Sequence, residues 1–236
     1  VVAAVSDYVR RQVLAAFGLP DERVRVVFNG VDIAPLTGAE AAAARTTWRQ
    51  RLSIAEGVPL ALFVGHNFKL KGLRELLAAW PRVTGPVAPV LVVAGGGDAR
   101  AYERQARRGG VAERVRLAGA VTDMRALYAA ADVLVHPTWY DPCSRVVLEA
   151  LGCGVPVVTT VFNGAGEWVE PGVHGVVVDT PADADRLAAA VTACLRPELK
   201  AACAAAAGAF RERASMERHA RELVELYATV RRGIHH

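Results

Sequence analysis

Two carboxylates flank a predicted helix in the segment 136–160. Asp141 and Glu149 stand eight positions apart, which puts Asp141 at the start of the helix and Glu149 two turns into it. Asp141 is predicted to cap the helix, with Pro142 in its first turn. In one interpretation, Asp141 is only a helix cap and Glu149 forms an ion pair with Arg145. Alternatively, both carboxylates accept hydrogen bonds from the hydroxyl groups of a ligand.

The start of the same helix also suits an anion. Pro142 lacks an N–H group, but the backbone N–H groups of Cys143, Ser144 and Arg145 are predicted to point at a phosphate. His136 stands before a proline at the end of the preceding strand. It is either a donor or acid facing the ligand, or a histidine packed at the strand end.

A lysine-rich loop follows an earlier strand. Lys69 and Lys71 stand just before a predicted helix, where ammonium groups beside free backbone N–H groups suit a diphosphate. A solvated basic loop is the alternative, and the GxxxxGK[ST] order of a Walker A loop is missing. A glycine-rich stretch at 163–167 either holds ligand hydroxyls through its backbone N–H groups or simply connects two elements.

Strands and helices alternate regularly from residue 59 onward. Apolar strands are predicted at 60–65, 89–97, 114–119, 133–136, 155–160 and 175–179, and helices near 72–83, 98–108, 122–130, 141–152 and 181–195. Further helices are predicted at 3–18, 198–212 and 215–231. The alternation predicts an α/β fold with a Rossmann-like doubly wound parallel sheet and helices on both faces. The polar segments described above all fall at the carboxyl ends of strands, where such folds bind ligands.

Composition excludes several classes of function. The chain has 236 residues, 53% of them hydrophobic, and its four cysteines form no CxxC pair, so no metal site is expected. The net charge of +4 comes without aromatic residues among the basic ones, which disfavours nucleic-acid binding. The glycine turn at 95–97 lacks the third glycine of a dinucleotide fingerprint.

Four stretches in this order resemble the retaining glycosyltransferases of family four, which have the GT-B fold. VSDYVRRQVLAAFG…VRVVFNGVD is similar to their serine–helix–NGVD passage, and FVG…KLKG to their strand–loop–KG phosphate site. HPTWYDPCSRVVLEALGCGVPVVTT resembles their E-x7-E segment, and NGAGE the glycine-rich loop that follows it. Within the family, FVGHNFKLKG and HPTWYD resemble most closely the bacterial lipopolysaccharide-core glucosyltransferases.

The resemblance implies two Rossmann-like domains that face each other across a cleft, with this chain carrying mostly the second, donor-binding domain. It implies a remnant of the N-terminal domain at 1–30, a linker at 31–57 and the nucleotide-sugar-binding domain at 58–212. The segment 213–236 is then a C-terminal helix that can pack back on the N-terminal domain, which is itself a missing partner.

The resemblance also implies residue roles in nucleotide binding. Lys71 matches the KG lysine that neutralises the diphosphate, and Lys69 is the candidate for the basic residue that usually precedes it. Glu149 matches the second glutamate, which binds the ribose hydroxyls. The base is expected against the backbone of Ala118, Gly119, Ala120 and Val121.

Two departures from the family pattern concern the transferred sugar. Asp141 matches the first glutamate, which holds the sugar, but is one methylene shorter. Ser144 and Arg145 replace the usual glycine and apolar residue beside the phosphates, and Arg145 is a candidate for an additional diphosphate contact.

The implied activity is that of a hexosyltransferase. A hexose, with glucose as the first candidate, moves from a UDP-sugar to a hydroxyl of a glycan or lipid-linked acceptor, with retention at the anomeric carbon. Lys71 and the helix N-terminus stabilise the leaving diphosphate, Asp141 and His136 orient the sugar, and neither a metal ion nor a cofactor is required.

Two rival functions remain open at this point: a non-catalytic nucleotide-sugar-binding module, and a GT-B epimerase or phosphorylase. The expected location is the cytoplasm, and the mild basicity leaves peripheral contact with the inner face of a membrane open. Because the acceptor site belongs largely to the missing domain, this chain alone is expected to bind nucleotide but to turn over poorly.

Overall fold

Two parallel sheets organise the computed structural model, which describes residues 1–233. The smaller sheet pairs β1 (Val2–Ala4) with β2 (Val24–Val26). The larger sheet has six strands: β3 (Leu60–Val64), β4 (Val90–Ala94), β5 (Val115–Gly119), β6 (Val133–His136), β7 (Val157–Thr160) and β8 (Gly175–Val178). Their order across the sheet is β5-β4-β3-β6-β7-β8, and every neighbouring pair is parallel.

Helices cover both faces of the larger sheet. The α-helices of residues 1–233 are α1 (Asp7–Phe17), α2 (Gly38–Arg51), α3 (Leu73–Ala79), α4 (Arg100–Arg108), α5 (Met124–Ala130), α6 (Arg145–Gly152), α7 (Ala184–Cys194), α8 (Pro197–Arg213) and α9 (Met216–Gly233). Helices α2, α5, α6 and α8 contribute to the core on one face, and α3 and α7 to the core on the other. The predicted doubly wound α/β fold is therefore confirmed.

The central strand β3 explains why the sequence reads as an unbroken apolar run. Leu60 and Leu62 pack into one core, whereas Ala61 and Phe63 pack into the other, and all four side chains are fully buried. Because successive side chains of a strand point to opposite faces, a strand covered on both sides has to be apolar at every position.

The strand order reverses between β3 and β6. The chain adds β4 and β5 on one side of β3, then returns to place β6 on the other side and continues outward to β7 and β8. The loops that leave β3 and β6 therefore diverge at a topological switch point, where doubly wound folds bind ligands. The two loops touch at Gly72, where a Cβ would lie 2.0 Å from the carbonyl oxygen of Pro137.

The amino-terminal helix starts later than predicted. The prediction placed residues 3–18 in one helix, but Val2–Ala4 forms β1 and the helix α1 begins at Asp7. Ser6 caps it by accepting a hydrogen bond from the backbone N–H of Val9 over 3.2 Å. Pairing with β2 fixes the first residues in extended conformation, and the serine cap then starts the helix.

The segment predicted as a linker contains a 14-residue helix, α2, which packs against α5. Trp48, Leu52 and Ile54 of this segment are buried in the same core as Leu60 and Leu62. The domain boundaries stay predictions, and the last three residues of the predicted C-terminal segment 213–236 lie outside the described residues. Along residues 1–233, the helices include none with the length and apolar character needed to cross a membrane.

Candidate functional site

Four of the predicted site residues meet at the switch point. Lys71, after β3, places its Nζ 2.7 Å from Oδ2 of Asp141, after β6. The same carboxylate oxygen lies 3.5 Å from Nε2 of His136, the last residue of β6. Ser144 Oγ lies 3.3 Å from that imidazole nitrogen. The four side chains form one polar cluster, which we call the switch-point cluster.

Charges in the switch-point cluster are fixed near neutral pH. Burial lowers the pKa of His136, although Asp141 raises it, so the imidazole is neutral. Burial raises the pKa of Asp141, but the hydrogen bonds from His136 and Lys71 outweigh it and lower that pKa to about 2. Because an ionised carboxylate only accepts hydrogen bonds, the imidazole proton belongs on Nε2. The cluster thus offers a cation, an anion and a neutral donor.

Asp141 is not the N-cap of the following helix, which corrects the prediction from the sequence. Helix α6 begins at Arg145, so Asp141 and Pro142 lie in the preceding loop and Glu149 lies one turn into the helix instead of two. The backbone of Asp141 forms hydrogen bonds outside the helix. Its N–H donates to Phe162 O over 2.9 Å, and its carbonyl accepts from Gly164 N over 3.0 Å.

Two N–H groups predicted to face a phosphate are engaged inside the protein. Cys143 N donates to Asp141 Oδ1 and Ser144 N donates to Asn163 Oδ1, both over 3.2 Å. Both N–H groups have protein acceptors in this structure, and their contact with a phosphate stays a prediction. Arg145 stands at the first helical position, where an N–H has no acceptor within the helix, and its phosphate contact stays a prediction.

Asn163 is the residue at the site that the sequence reading missed. It is 2% exposed, and its Oδ1 accepts from both Ser144 N and Ala165 N while its Nδ2 donates to Thr159 Oγ1 over 2.9 Å. It therefore ties the start of α6 to the end of β7. Its place at the head of a glycine-rich turn, where asparagine commonly caps, was the available signal.

Three backbone N–H groups of the glycine-rich stretch 163–167 donate to acceptors within the protein. Gly164 N donates to Asp141 O, and the next two N–H groups donate to Asn163. The carboxylate of Glu167 accepts from the backbone N–H groups of Asp7 and Tyr8, over 2.9 and 2.6 Å. The alternative reading, a connecting segment, fits the structure, and this connection also caps α1.

Glu149 has partners on both sides. Its Oε2 accepts a hydrogen bond from the hydroxyl of Tyr128 over 3.0 Å, and its Oε1 lies 3.8 Å from Nη2 of Arg145. Burial raises the pKa of Glu149, against the hydrogen bond from Tyr128 and the charge of Arg145. The ion pair with Arg145 is present but long, and the ribose contact stays a prediction.

The remaining predicted residues lie at the same edge of the sheet without joining the cluster. Lys69 is exposed and lines a surface depression with Asn67, Leu70 and Trp139. Its ammonium group makes no hydrogen bond or ion pair among the described residues. Residues 118–121 comprise the last two residues of β5 and the two that follow it, and Gly119 O accepts from Gly95 N over 2.8 Å. The diphosphate contact of Lys69 and the base contacts of Ala118, Gly119, Ala120 and Val121 stay predictions.

A family model described as Glycosyl transferases group 1 matches residues 58–197, more than half of the chain. The chain belongs to this glycosyltransferase family. The match begins just before β3 and ends at the start of α8, so it contains the whole six-stranded sheet and the switch-point cluster. The resemblance seen in the sequence is thereby confirmed.

Known members of the group 1 glycosyltransferases resemble this chain over most of its length. The D-inositol 3-phosphate glycosyltransferase of Geodermatophilus obscurus is 34% identical, over 92% of this chain and 50% of its own length. The lipopolysaccharide glucosyltransferase WaaG of Escherichia coli is 33% identical, over 61% of this chain and 39% of its own. The chain spans about half the length of the curated relatives it matches.

A solved structure shares both fold and sequence features with the chain. The crystal structure of Anabaena Alr3699/HepE in complex with UDP and glucose superimposes with a TM-score of 0.82 and 25% identity, over 97% of this chain and 63% of that one.

Across residues 1–233, no group of three or more histidine, cysteine, aspartate or glutamate side chains is placed to hold a metal ion. The expectation that the reaction needs no metal stays a prediction.

Proposed function

We propose that this chain binds a UDP-sugar at the switch point between β3 and β6 and serves in the retaining transfer of a hexose. Glucose is the first candidate for that hexose. The observation that carries the proposal is the Lys71–Asp141 contact of 2.7 Å, which puts a cation and a sugar-binding carboxylate where doubly wound folds hold ligands. The similar structure that contains UDP and glucose supports the choice of donor.

Lys71 is assigned to the diphosphate. Its side chain is only 20% exposed, so a phosphate oxygen that reaches its ammonium group meets a partly desolvated charge, and attraction is stronger there than in water. As the bond between the sugar and the phosphate breaks, negative charge grows on the leaving diphosphate. A preorganised cation at that place lowers the energy of the transition state.

Asp141 and His136 are assigned to the sugar. Asp141 is ionised, so its oxygens accept hydrogen bonds from sugar hydroxyls. When Lys71 turns to the diphosphate, Oδ2 of Asp141 loses an ammonium partner and gains room for a hydroxyl. The neutral His136 keeps its Nε2–H toward the same space and orients the sugar by donating a hydrogen bond.

Glu149 is assigned to the ribose, since its carboxylate stands one turn into α6 with 19% of the side chain exposed. Arg145 pairs with it over 3.8 Å, and because 67% of the Arg145 side chain is exposed, it is free to turn toward the diphosphate. The base is assigned to residues 118–121, at the carboxyl end of β5.

The acceptor is assigned to a glycan or a lipid-linked glycan, supported by the relative named as a lipopolysaccharide glucosyltransferase. We further propose a cytoplasmic protein in peripheral contact with a membrane. That relative and the net charge of +4, which favours anionic surfaces, support this proposal.

Calorimetric titration with UDP, GDP, ADP and their glucose conjugates tests the donor assignment. UDP and UDP-glucose should bind more tightly than the other nucleotides, and Glu149→Gln should weaken UDP binding about tenfold. Glu113→Gln, which changes an exposed glutamate in the turn before β5, is the matched control and should have no effect. Equal affinity for all bases would refute the UDP assignment, and an inverted anomer in the product of the complete protein would refute retention.

A further inference from the structure

Tyr128 is buried in α5 against α6, with 1% of its surface exposed. Its ring belongs to the apolar core, and a phenylalanine ring would fill the same space. Packing therefore accounts for the ring but not for the hydroxyl group, which requires a hydrogen-bond partner because it is buried. It donates to Glu149 Oε2 over 3.0 Å and lies 3.4 Å from Val146 O.

The two oxygens of the Glu149 carboxylate have different surroundings. Oε2 is held by the buried phenol, whereas Oε1 lies 3.8 Å from the guanidinium of the exposed Arg145. Oε1 is thus the oxygen on the solvent side of the helix. A glutamate side chain has several rotatable bonds, and a hydrogen bond from a side chain that is itself locked in the core restricts them before any ligand arrives.

We infer that Tyr128 is a positioning residue for nucleotide binding, which holds Glu149 Oε2 inward so that Oε1 faces the two ribose hydroxyls. The inference rests on the proposed function, in which Glu149 binds the ribose. Tyr128 touches no ligand and acts only through Glu149. Without its hydroxyl, the carboxylate is free to rotate toward Arg145, and ribose binding then has to restore the productive orientation.

The direct test compares Tyr128→Phe with the unchanged chain in calorimetric titrations of UDP and of 2′,3′-dideoxy-UDP, which lacks both ribose hydroxyls. Tyr128→Phe should weaken UDP binding about fivefold to tenfold, which is less than the loss of a whole hydrogen bond to a charged group, because only the preorganisation of Glu149 is lost. Binding of the dideoxy nucleotide should change by less than about twofold, because Glu149 makes no contact with it. Equal weakening for both ligands would assign Tyr128 a structural role only, and an unchanged UDP affinity would also overturn the inference.

Tyr102→Phe is the matched control. Tyr102 is half-buried on α4 and lines a different cavity, beside β4 and β5, so removing its hydroxyl should leave both affinities unchanged. Thermal unfolding of each variant checks that the fold is retained.

A double mutant separates this inference from the proposed function. In a chain that already carries Glu149→Gln, Tyr128→Phe should change UDP affinity by less than about twofold, because its effect passes through the carboxylate. Two independent, additive losses would contradict the positioning role. If Glu149→Gln alone leaves UDP binding unchanged, the ribose assignment fails. If Glu149→Gln weakens binding and Tyr128→Phe does not, only the present inference fails.

Discussion

Lys71 Nζ and Asp141 Oδ2 lie 2.7 Å apart although the two residues are 70 positions apart in the chain. The strand order creates this contact, because β3 and β6 are neighbours and their carboxyl ends open side by side at the switch point. Each residue is the other's partner in the free protein. A donor that takes Lys71 for its diphosphate and Asp141 for its sugar would replace one internal ion pair by two contacts to a ligand.

The two lysines of one loop should differ in their effect on UDP binding. Lys71→Met removes the partly buried cation of the switch-point cluster, and UDP affinity should fall roughly tenfold to a hundredfold. Lys69→Met removes an exposed charge outside the cluster and should cost less than about threefold, because water and salt screen such a charge. Calorimetric titration of both variants checks this. A larger loss of UDP affinity in Lys69→Met than in Lys71→Met would indicate that Lys69 binds the diphosphate.

Asp141→Asn should affect the sugar and not the nucleotide. The substitution removes the charge that accepts sugar hydroxyls and at the same time frees Lys71 from its partner. Affinity for UDP should therefore stay equal or increase, while affinity for UDP-glucose should fall about fivefold to twentyfold relative to UDP. The ratio of the two dissociation constants is the quantity to measure. An equal loss for both ligands would place Asp141 outside the sugar site.

UDP-glucose binding should weaken in acid because of Glu149. Its pKa is raised above the ordinary value of 4.5 by burial, against Tyr128 and Arg145, and only the ionised carboxylate accepts from both ribose hydroxyls. Affinity should be constant well above that raised pKa and fall as the pH drops through it. The thiol of Cys153, near Glu149, stays protonated because burial raises its pKa to about 12.

Glu149→Gln supplies the control for this pH dependence. The variant should bind UDP-glucose more weakly and should lose the part of the pH dependence that Glu149 causes, since glutamine does not titrate. His136, whose pKa burial lowers, titrates in both proteins and therefore cancels in the comparison. Titrations at several pH values on both proteins make the comparison, and UDP-glucose is preferred to UDP because its phosphates do not change charge in this range. The same pH dependence in both proteins would exclude Glu149 as its source.

Asn163 should contribute more to stability than any ligand-facing residue. Asn163→Ala leaves the N–H groups of Ser144 and Ala165 without their acceptor in a buried site, which should lower the free energy of unfolding by about 2–4 kcal/mol. Asn67→Ala also removes one hydrogen bond, to Leu70 N, but at an exposed position, and should cost less than about 1 kcal/mol. Urea unfolding of the two variants gives both values, and a cost for Asn163 as small as that for Asn67 would contradict the account.

Sequence periodicity was sufficient to predict the six-stranded sheet and the helices that cover it. Strands such as β3 are apolar at every position because both faces are buried, and that pattern is visible without a structure. The placement of polar segments at the carboxyl ends of strands then brought Lys71, His136 and Asp141 to the same edge. Whether these side chains come into contact depends on which strands are neighbours. The order of strands across the sheet cannot be predicted from local sequence.

Local rules failed where distant backbone groups compete for the same atoms. Asp141 followed by Pro142 has the pattern of a helix cap, but the Asp141 backbone pairs with Phe162 and Gly164, and the helix starts only at Arg145. Asn163 reaches Ser144 across 19 positions, so no local pattern contains that hydrogen bond. The same holds for Glu167, whose carboxylate caps a helix 160 positions earlier.

The most direct test of the account is where UDP binds on this chain. In a titration of isotope-labelled protein with UDP, followed by two-dimensional NMR of the backbone amides, the perturbed resonances should belong to residues 65–72, 118–121 and 141–149. Their common dissociation constant should increase at least tenfold in Lys71→Met. No UDP binding, or perturbations that cluster away from the switch point between β3 and β6, would contradict the central claim.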